Sequence, residues 1–278
     1  MRSNRLSDHP LGDLLRQWRA RRGRSQLDLS AHLGVSQRHL SFIESGRSDP
    51  SRALVLALAQ ALDVPLRDRN ALLLAAGYAP MYPDPAWNAQ EMRAINLALE
   101  RMLRQHEPFP AVVMDRYWNV LSTNAAAPRL FGSFIDMSAR TGQRNLLRLI
   151  FDPQGMRPFI ANWAQVARGL FERVAREAVG GVIDEKSRAL LAELEGQCDV
   201  DLGWEGAEAP AAGPVLPIVF VKDGRLLSYF SMVSTVGTPQ TIAAQELRVE
   251  CMFPSDDATQ AWHLETFGAA PQGAGDAG

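Results

Sequence analysis

The sequence predicts two domains of different class: an all-α domain of five short helices, then an α+β domain with an antiparallel sheet. Three observations predict this. Through Ala76 the apolar residues recur three and four apart, between residues that start and stop helices. Gly77 to Trp87, GYAPMYPDPAW, then puts three prolines in eleven residues, which breaks regular structure and marks a boundary. Beyond Pro108, short β-prone runs alternate with helical ones, and Asp223-Gly224 suits the tight turn of an antiparallel hairpin.

Length and composition agree. A chain of 278 residues holds about two domains, and a hydrophobic share of 46% supports a sizeable core. No apolar run is long enough to span a bilayer. The opening MRSNRLSDHPLGD lacks the apolar segment of a secretory signal. Cys198 and Cys251 are too few for a disulfide framework, so reduced thiols and a cytoplasmic location are expected. The net charge of −2 conceals an asymmetry: residues 1–80 carry 12 arginines against 7 acids, and the remainder 17 basic against 24 acidic residues. A basic head on an acidic body orients a molecule towards phosphates. The head has no lysine, and arginine suits bidentate phosphate and guanine contacts.

In the head, Leu11 to Arg22 reads as the first helix, with Leu11, Leu14, Leu15 and Trp18 inward; most of Arg16, Arg19, Arg21 and Arg22 are expected on a solvated face. Ser25 can cap the second helix with Asp28 as capping-box acid, and Leu27, Ala31 and Leu33 give it an apolar face. Gly34 suits a left-handed helix end, Val35 fills the turn, and Ser36 can cap the third helix. Leu40 and Ile43 point inward there, while Gln37, Arg38 and Ser41 present groups able to hydrogen-bond base edges. Helix, glycine turn and helix form a helix-turn-helix pattern. After the turn at Ser48 to Ser51, Leu54, Leu56, Leu58, Ala61 and Leu62 mark a fourth helix that Pro65 ends, and Leu66 to Ala76 a fifth. The first domain is expected over residues 1–79.

QLDLSAHLGVSQRHLSFIESGRSDPS resembles the Xre/Cro-type helix-turn-helix of phage-repressor relatives. The resemblance implies that Gln26 contacts phosphate and supports the reading helix. It implies that Ser36, Gln37, Arg38 and Ser41 read the major groove of double-stranded DNA, and that Arg47 touches the backbone. Glu44 and Gly46 match the structural end of the reading helix.

The Pro-rich linker and a connecting helix are expected over residues 80–105, with Tyr78, Tyr82 and Trp87 pinning the linker. In Ala89 to Gln105, Met92, Ile95, Leu99 and Met102 form one stripe, which packs inside its own domain or joins two copies. Ala111 to Asp115 and Trp118 to Ser122 read as strands, and Asn124 can cap a helix running to about Phe131. Asn145 to Phe151 is apolar without a clear period. Phe159, Trp163, Val166, Leu170, Phe171 and Val174 mark a long amphipathic helix closed by Gly180-Gly181; Asp184 can cap another with Leu190, Leu191 and Leu194 inward. Gly203 to Gly213 is a small-residue loop. Val215 to Val221 and Leu226 to Val236 form the hairpin. In the last strand Leu247, Val249, Cys251 and Phe253 alternate with Glu246, Arg248 and Glu250, which predicts the polar set on the solvent side. The second domain is expected over 106–262, and a Gly/Ala-rich disordered tail over 263–278.

Strand, turn, strand, then Asn-x-Ala into a helix resembles the opening of a PAS domain. RNLLRLIFDPQGMRPFIANWAQVARGL and SMVSTVGTPQTIAAQELRVECMFPSDDAT resemble the ligand-binding region of MmyB-like transcription regulators, and with the helix-turn-helix the likeness spans residues 8–262. Between Gly132 and Arg144 it gives no guide. It implies a one-component regulator with a small apolar ligand, such as a fatty acid, in the PAS-like cavity. A sheet with helices on one face leaves a concavity. Trp118, Phe159, Trp163, Phe171, Tyr229 and Phe230 are the candidate lining, and Arg157 the candidate cation for a carboxylate. A second domain that only dimerises, without ligand, is the alternative.

Other chemistry is not expected. The five histidines, His9, His32, His39, His106 and His263, have no zinc spacing. There is no Gly-rich phosphate loop and no nucleophile elbow. Asp256-Asp257 reads as a solvated turn. Neither catalysis, nor a metal, nor a membrane is expected; a homodimer on an operator is.

Overall fold

A computed structural model describes residues 9–180, 185–198 and 214–268. The chain divides into two compact units. One comprises Met1–Pro85 with Pro239–Gln245; the other comprises Ala86–Thr238 with Glu246–Gly278.

The first unit contains α1 (Pro10–Arg21), α2 (Gln26–Leu33), α3 (Gln37–Glu44), α4 (Arg52–Ala61) and α5 (Leu66–Ala75). Ser25 accepts a hydrogen bond from the Asp28 amide while the Asp28 carboxylate accepts one from the Ser25 amide, a complete capping box. Gly34 ends α2 at φ +66, and the Ser36 hydroxyl accepts from the His39 amide to start α3. Leu15, Trp18, Leu40, Ile43, Leu58 and Leu72 are buried together at the centre of the unit. The inward side of α2 differs from expectation. Leu29 and Ser30 are buried, while Leu27 and Ala31 are exposed. The Pro-rich segment lies on the same unit: Asn70 hydrogen-bonds the backbone of Met81 and Tyr82, and the Tyr78 hydroxyl donates to Pro50 O at 3.0 Å.

The second unit opens with a 3₁₀ turn (Gln90–Met92) and α6 (Arg93–Gln105). Its buried positions are Met92, Leu99 and Leu103, while Met102 faces outward. The stripe expected to end at Met102 has therefore turned one residue further round the helix. Next come β1 (Ala111–Met114), β2 (Val120–Thr123), α7 (Ala126–Gly132), α8 (Leu146–Phe151), α9 (Trp163–Gly180) and α10 (Glu185–Gln197). They are followed by β3 (Ile218–Lys222), β4 (Arg225–Ser234), then α11 (Ile242–Glu246), whose residues through Gln245 belong to the first unit, and by β5 (Arg248–Pro254) and α12 (Asp257–Phe267). The Asp184 cap and the 203–213 loop expected from sequence lie outside the described residues.

The five strands form one antiparallel sheet in the order β2-β1-β5-β4-β3, with β5 central. This is the expected PAS-like sheet. Asn124 binds it to α7: its Oδ1 accepts from Ala111 N and Ala127 N, and its Nδ2 donates to Phe109 O. Asn145 caps α8, the segment whose type the sequence left open. Two expectations are corrected. Glu250 is buried, because β5 is covered on the face it shares with Met252. Residues 263–267, expected in the tail, belong instead to α12, which runs to Phe267 and buries His263 against Tyr229, while 269–278 lie outside the described residues.

Candidate functional site

The outer face of α3 carries the first candidate site. Gln37 and Arg38 are exposed, as are Ser36 and Arg47; Ser41 is half-buried. Phe42 lies between two guanidinium groups, Arg38 at 5.2 Å and Arg47 at 4.9 Å from its ring centre. Such stacking positions both cations while leaving their N–H groups outward for other acceptors. The Arg47 Nε also donates to Ser45 Oγ at 3.0 Å.

This face is held by a buried carboxylate. Glu44, at the end of α3, is 2% exposed. It accepts from Arg19 Nε at 2.8 Å, Arg19 Nη2 at 3.1 Å and Gln26 Nε2 at 2.8 Å. The Arg19 hydrogen bonds to Glu44 raise the pKa of that arginine further. One side chain thus joins α1, α2 and α3. Gln26, half-buried, directs its amide to Glu44 at the end of α3. Arg16 donates to the Glu44 carbonyl, and Arg22 to the carbonyls of Leu62 and Asp63. Three of Arg16, Arg19, Arg21 and Arg22, most of which were expected on a solvated face, therefore tie helices together.

The second candidate site is a pair of cavities between the sheet and helices α7–α10. The inner cavity, of about 260 Å³, is bounded by Val112, Phe131, Leu146, Val166, Phe220 and Met252, among others. Its polar pole is Arg173, Glu250 and Ser231. The Ser231 hydroxyl donates to Glu250 Oε1 at 2.6 Å, and Arg173 approaches Oε2 at 3.3 Å. Arg173 also stacks on the Trp118 ring at 4.4 Å, and Trp118 holds a left-handed backbone at φ +65 while buried. The outer cavity, of about 350 Å³, shares Val112, Phe131 and Leu146 with the inner one. Arg140, Arg144 and Arg148 stand at its rim with Asp152 and Glu193. Arg140 pairs with Asp152 at 2.6 Å, and Arg148 with Glu193 at 2.8 Å. Arg144 is exposed.

Of the sequence-predicted lining, Tyr229 and Phe230 border the inner cavity. Phe230 also stacks on Phe253 at 5.6 Å, on the opposite side of the sheet by strand alternation. Trp118, Phe159, Trp163 and Phe171 belong to the surrounding hydrophobic packing and line neither cavity. Arg157 lines neither cavity, donating instead to Gln197 O at 2.8 Å and stacking over Trp163 at 5.2 Å. The polar residues that sequence reasoning missed are Arg173, Ser231 and Glu250, and the 140–148 arginines. A spacing of four between Arg140, Arg144 and Arg148 was the available signal.

Among the described residues no group of three or more His, Cys, Asp or Glu side chains could hold a metal, and no helix is long and apolar enough to cross a membrane. No curated protein matches the chain. Two family models do. Residues 10–72 match a helix-turn-helix domain, and residues 95–264 match the MmyB-like transcription regulator ligand binding domain. The second match covers more than half of the chain and contains the whole sheet, both cavities and their polar residues. The molecule is a DNA-binding transcription regulator with a ligand-binding domain, and it belongs to the MmyB-like transcription regulators.

Proposed function

We propose that the protein binds a two-fold DNA operator as a homodimer and releases or grips it according to occupancy of the second unit by an apolar, fatty-acid-like molecule. The observation that carries the DNA half is the outer face of α3. Its inward residues Leu40 and Ile43 are fully buried, and Gln37 and Arg38 project outward above a fixed scaffold. Ser36, Gln37, Arg38 and Ser41 read base edges in this proposal. Arg47 contacts phosphate, and Gln26 positions the helix through Glu44. Half-sites lie about 34 Å apart or a multiple of this. In this proposal residues 1–79 bind DNA, 106–262 bind the ligand, and 80–105 connect the two functions.

The ligand half rests on the paired cavities. The inner cavity is lined by Glu172 and Glu250 against Arg173, and Glu250 already answers that arginine. A carboxylate entering there would meet Glu250. The outer rim has three arginines against two acids, so it favours an anionic head group beside Arg144. An alkyl tail would then run over Phe131 towards Tyr229, gaining about 0.8 kcal/mol per buried CH₂. Trp118 and Arg157 support this site from outside the lining. A ligand–DNA coupling of about 1–3 kcal/mol would suffice for control.

Fluorescence anisotropy with promoter DNA tests the first half. The double variant Gln37→Ala, Arg38→Ala should lose operator preference and keep weak, salt-sensitive binding; unchanged affinity would refute the reading face. Solvent extraction of the purified protein followed by mass spectrometry tests the second. A stoichiometric amphipathic acid supports it. An empty domain supports a purely dimerising module instead.

A further inference from the structure

The DNA-binding unit is completed by a piece of chain from elsewhere in the sequence. Pro239–Gln245, the connection between β4 and β5, belongs to the first unit. Within that unit it does specific work. Helix α5 begins after Pro65, which has no side-chain group to satisfy an amide of the first turn. The Leu66 amide donates instead to Gln245 Oε1 at 2.7 Å. The Ile242 amide donates to Pro83 O at 2.9 Å, and Ile242 and Ala244 are buried. Gln245 is thus the N-cap that α5 lacks locally, supplied from 179 residues away.

The same connection leads into β5, the strand that carries Glu250 of the inner cavity's polar pole. The chain re-enters the sheet at once. Glu246 pairs with Arg116 at 3.0 Å, and five residues after Gln245 comes Glu250, which faces Ser231 and Arg173. β5 is the central strand, held by β1 on one side and β4 on the other. It has little freedom to absorb a shift at Glu250 by local bending.

We propose that Pro239–Gln245 is a coupling strap: a change at the Arg173–Glu250–Ser231 pole is carried along β5 to Gln245 and alters its cap on α5. This rests on the reading of the inner cavity as part of the ligand site. The strap connects that site to α5, which packs against α4 and α1, and α1 in turn packs against α3.

Hydrogen exchange of the full chain, without added ligand, tests this. Gln245→Ala should raise exchange at Leu66 and Arg69 about five- to tenfold, the scale of a lost cap. Glu250→Gln should raise exchange at the same amides at least about threefold, and add nothing further when Gln245 is already Ala. Amides of β1 serve as the internal reference. Wild-type exchange at Leu66 in the Glu250→Gln variant would overturn the proposal. So would equal effects of Glu250→Gln with and without Gln245, or a rise spread over β1 as well. If Glu250→Gln does not fold, Ser231→Ala perturbs the same pole and is read in the same way. Because no lipid is added, failure here is separate from an empty result in the extraction experiment.

Discussion

Replacing Glu44 by Ala should unfasten α3. The carboxylate lies in the last turn of α3, where a negative charge meets the negative end of the helix dipole, at a cost of about 0.3–1 kcal/mol. Its retention must therefore come from its partners. Three hydrogen bonds reach it, two from Arg19 and one from Gln26. Removing one partner of a buried pair costs about 3–5 kcal/mol. Arg19 keeps 19% side-chain exposure and can partly rehydrate, which favours the low end, about 3 kcal/mol. That is a large share of the roughly 5–15 kcal/mol that stabilises a domain.

Native-state hydrogen exchange suits the measurement, because two units need not unfold in one step. A loss of about 3 kcal/mol corresponds to about a hundredfold loss of protection in the most protected amides of α2 and α3. Glu44→Gln keeps one acceptor and should lose less, about 1–2 kcal/mol. Operator affinity should fall in the same order. Protection within about threefold of wild type in Glu44→Ala would refute the claim that this carboxylate holds the three helices.

Three further outcomes follow from the packing. Gly12→Ala would place a Cβ 2.1 Å from the Glu44 carbonyl oxygen, so α1 must move off α3; thermal unfolding of the first unit should come earlier, and an unchanged midpoint would show the approach to be looser. Asn124→Ala strips buried partners from Ala111, Ala127 and Phe109 and should cost about 3 kcal/mol in urea unfolding of the second unit, with Asn124→Asp no rescue because it cannot donate to Phe109 O. Burial lowers the His263 pKa, and its Nε2–H donates to Pro108 O while Nδ1 accepts from Tyr229, so the folded state holds the ring neutral. Its contribution should be complete above the unfolded pKa, about 6.5, and decline as pH falls below it towards the folded value, by at most about 1.4 kcal/mol per pH unit; His263→Gln should flatten that slope in urea midpoints measured from pH 8 to 5.

The legible parts of the fold are those whose causes are local. Ser25 with Asp28, Gly34 and Ser36 fix helix ends within a few residues, and each has the partner or dihedral its type suggested. The buried side of α2 is not local. In eight residues Leu27, Leu29, Ala31 and Leu33 leave no single apolar stripe, and α3 and α4 decide that Leu29 faces in. Glu250 failed for a related reason. Alternation says which residues share a face, but not that helices from earlier in the chain roof the polar one. The cavities were illegible because their walls come from β1, α7, α9, β4 and β5 together with the 137–145 segment, which lies outside the named helices and strands.

The charge of the head needs the same correction. Twelve arginines suggested a surface given over to phosphate, yet at least five have partners within their own unit. Arg16 and Arg19 hold Glu44, Arg22 closes the end of α4, Arg67 pairs with Asp84, and Arg69 donates to Val64 O. Their choice over lysine follows from geometry, since a planar fork can reach two acceptors on different helices at once. Arg38 and Arg47 are of another kind: exposed, stacked on Phe42, and placed on either side of the α3 outer face. An excess of arginine in a small helical domain is thus two groups superposed, one bracing a short-helix core and one held at the surface. Only the position of each residue relative to the inward stripe of α3 separates them.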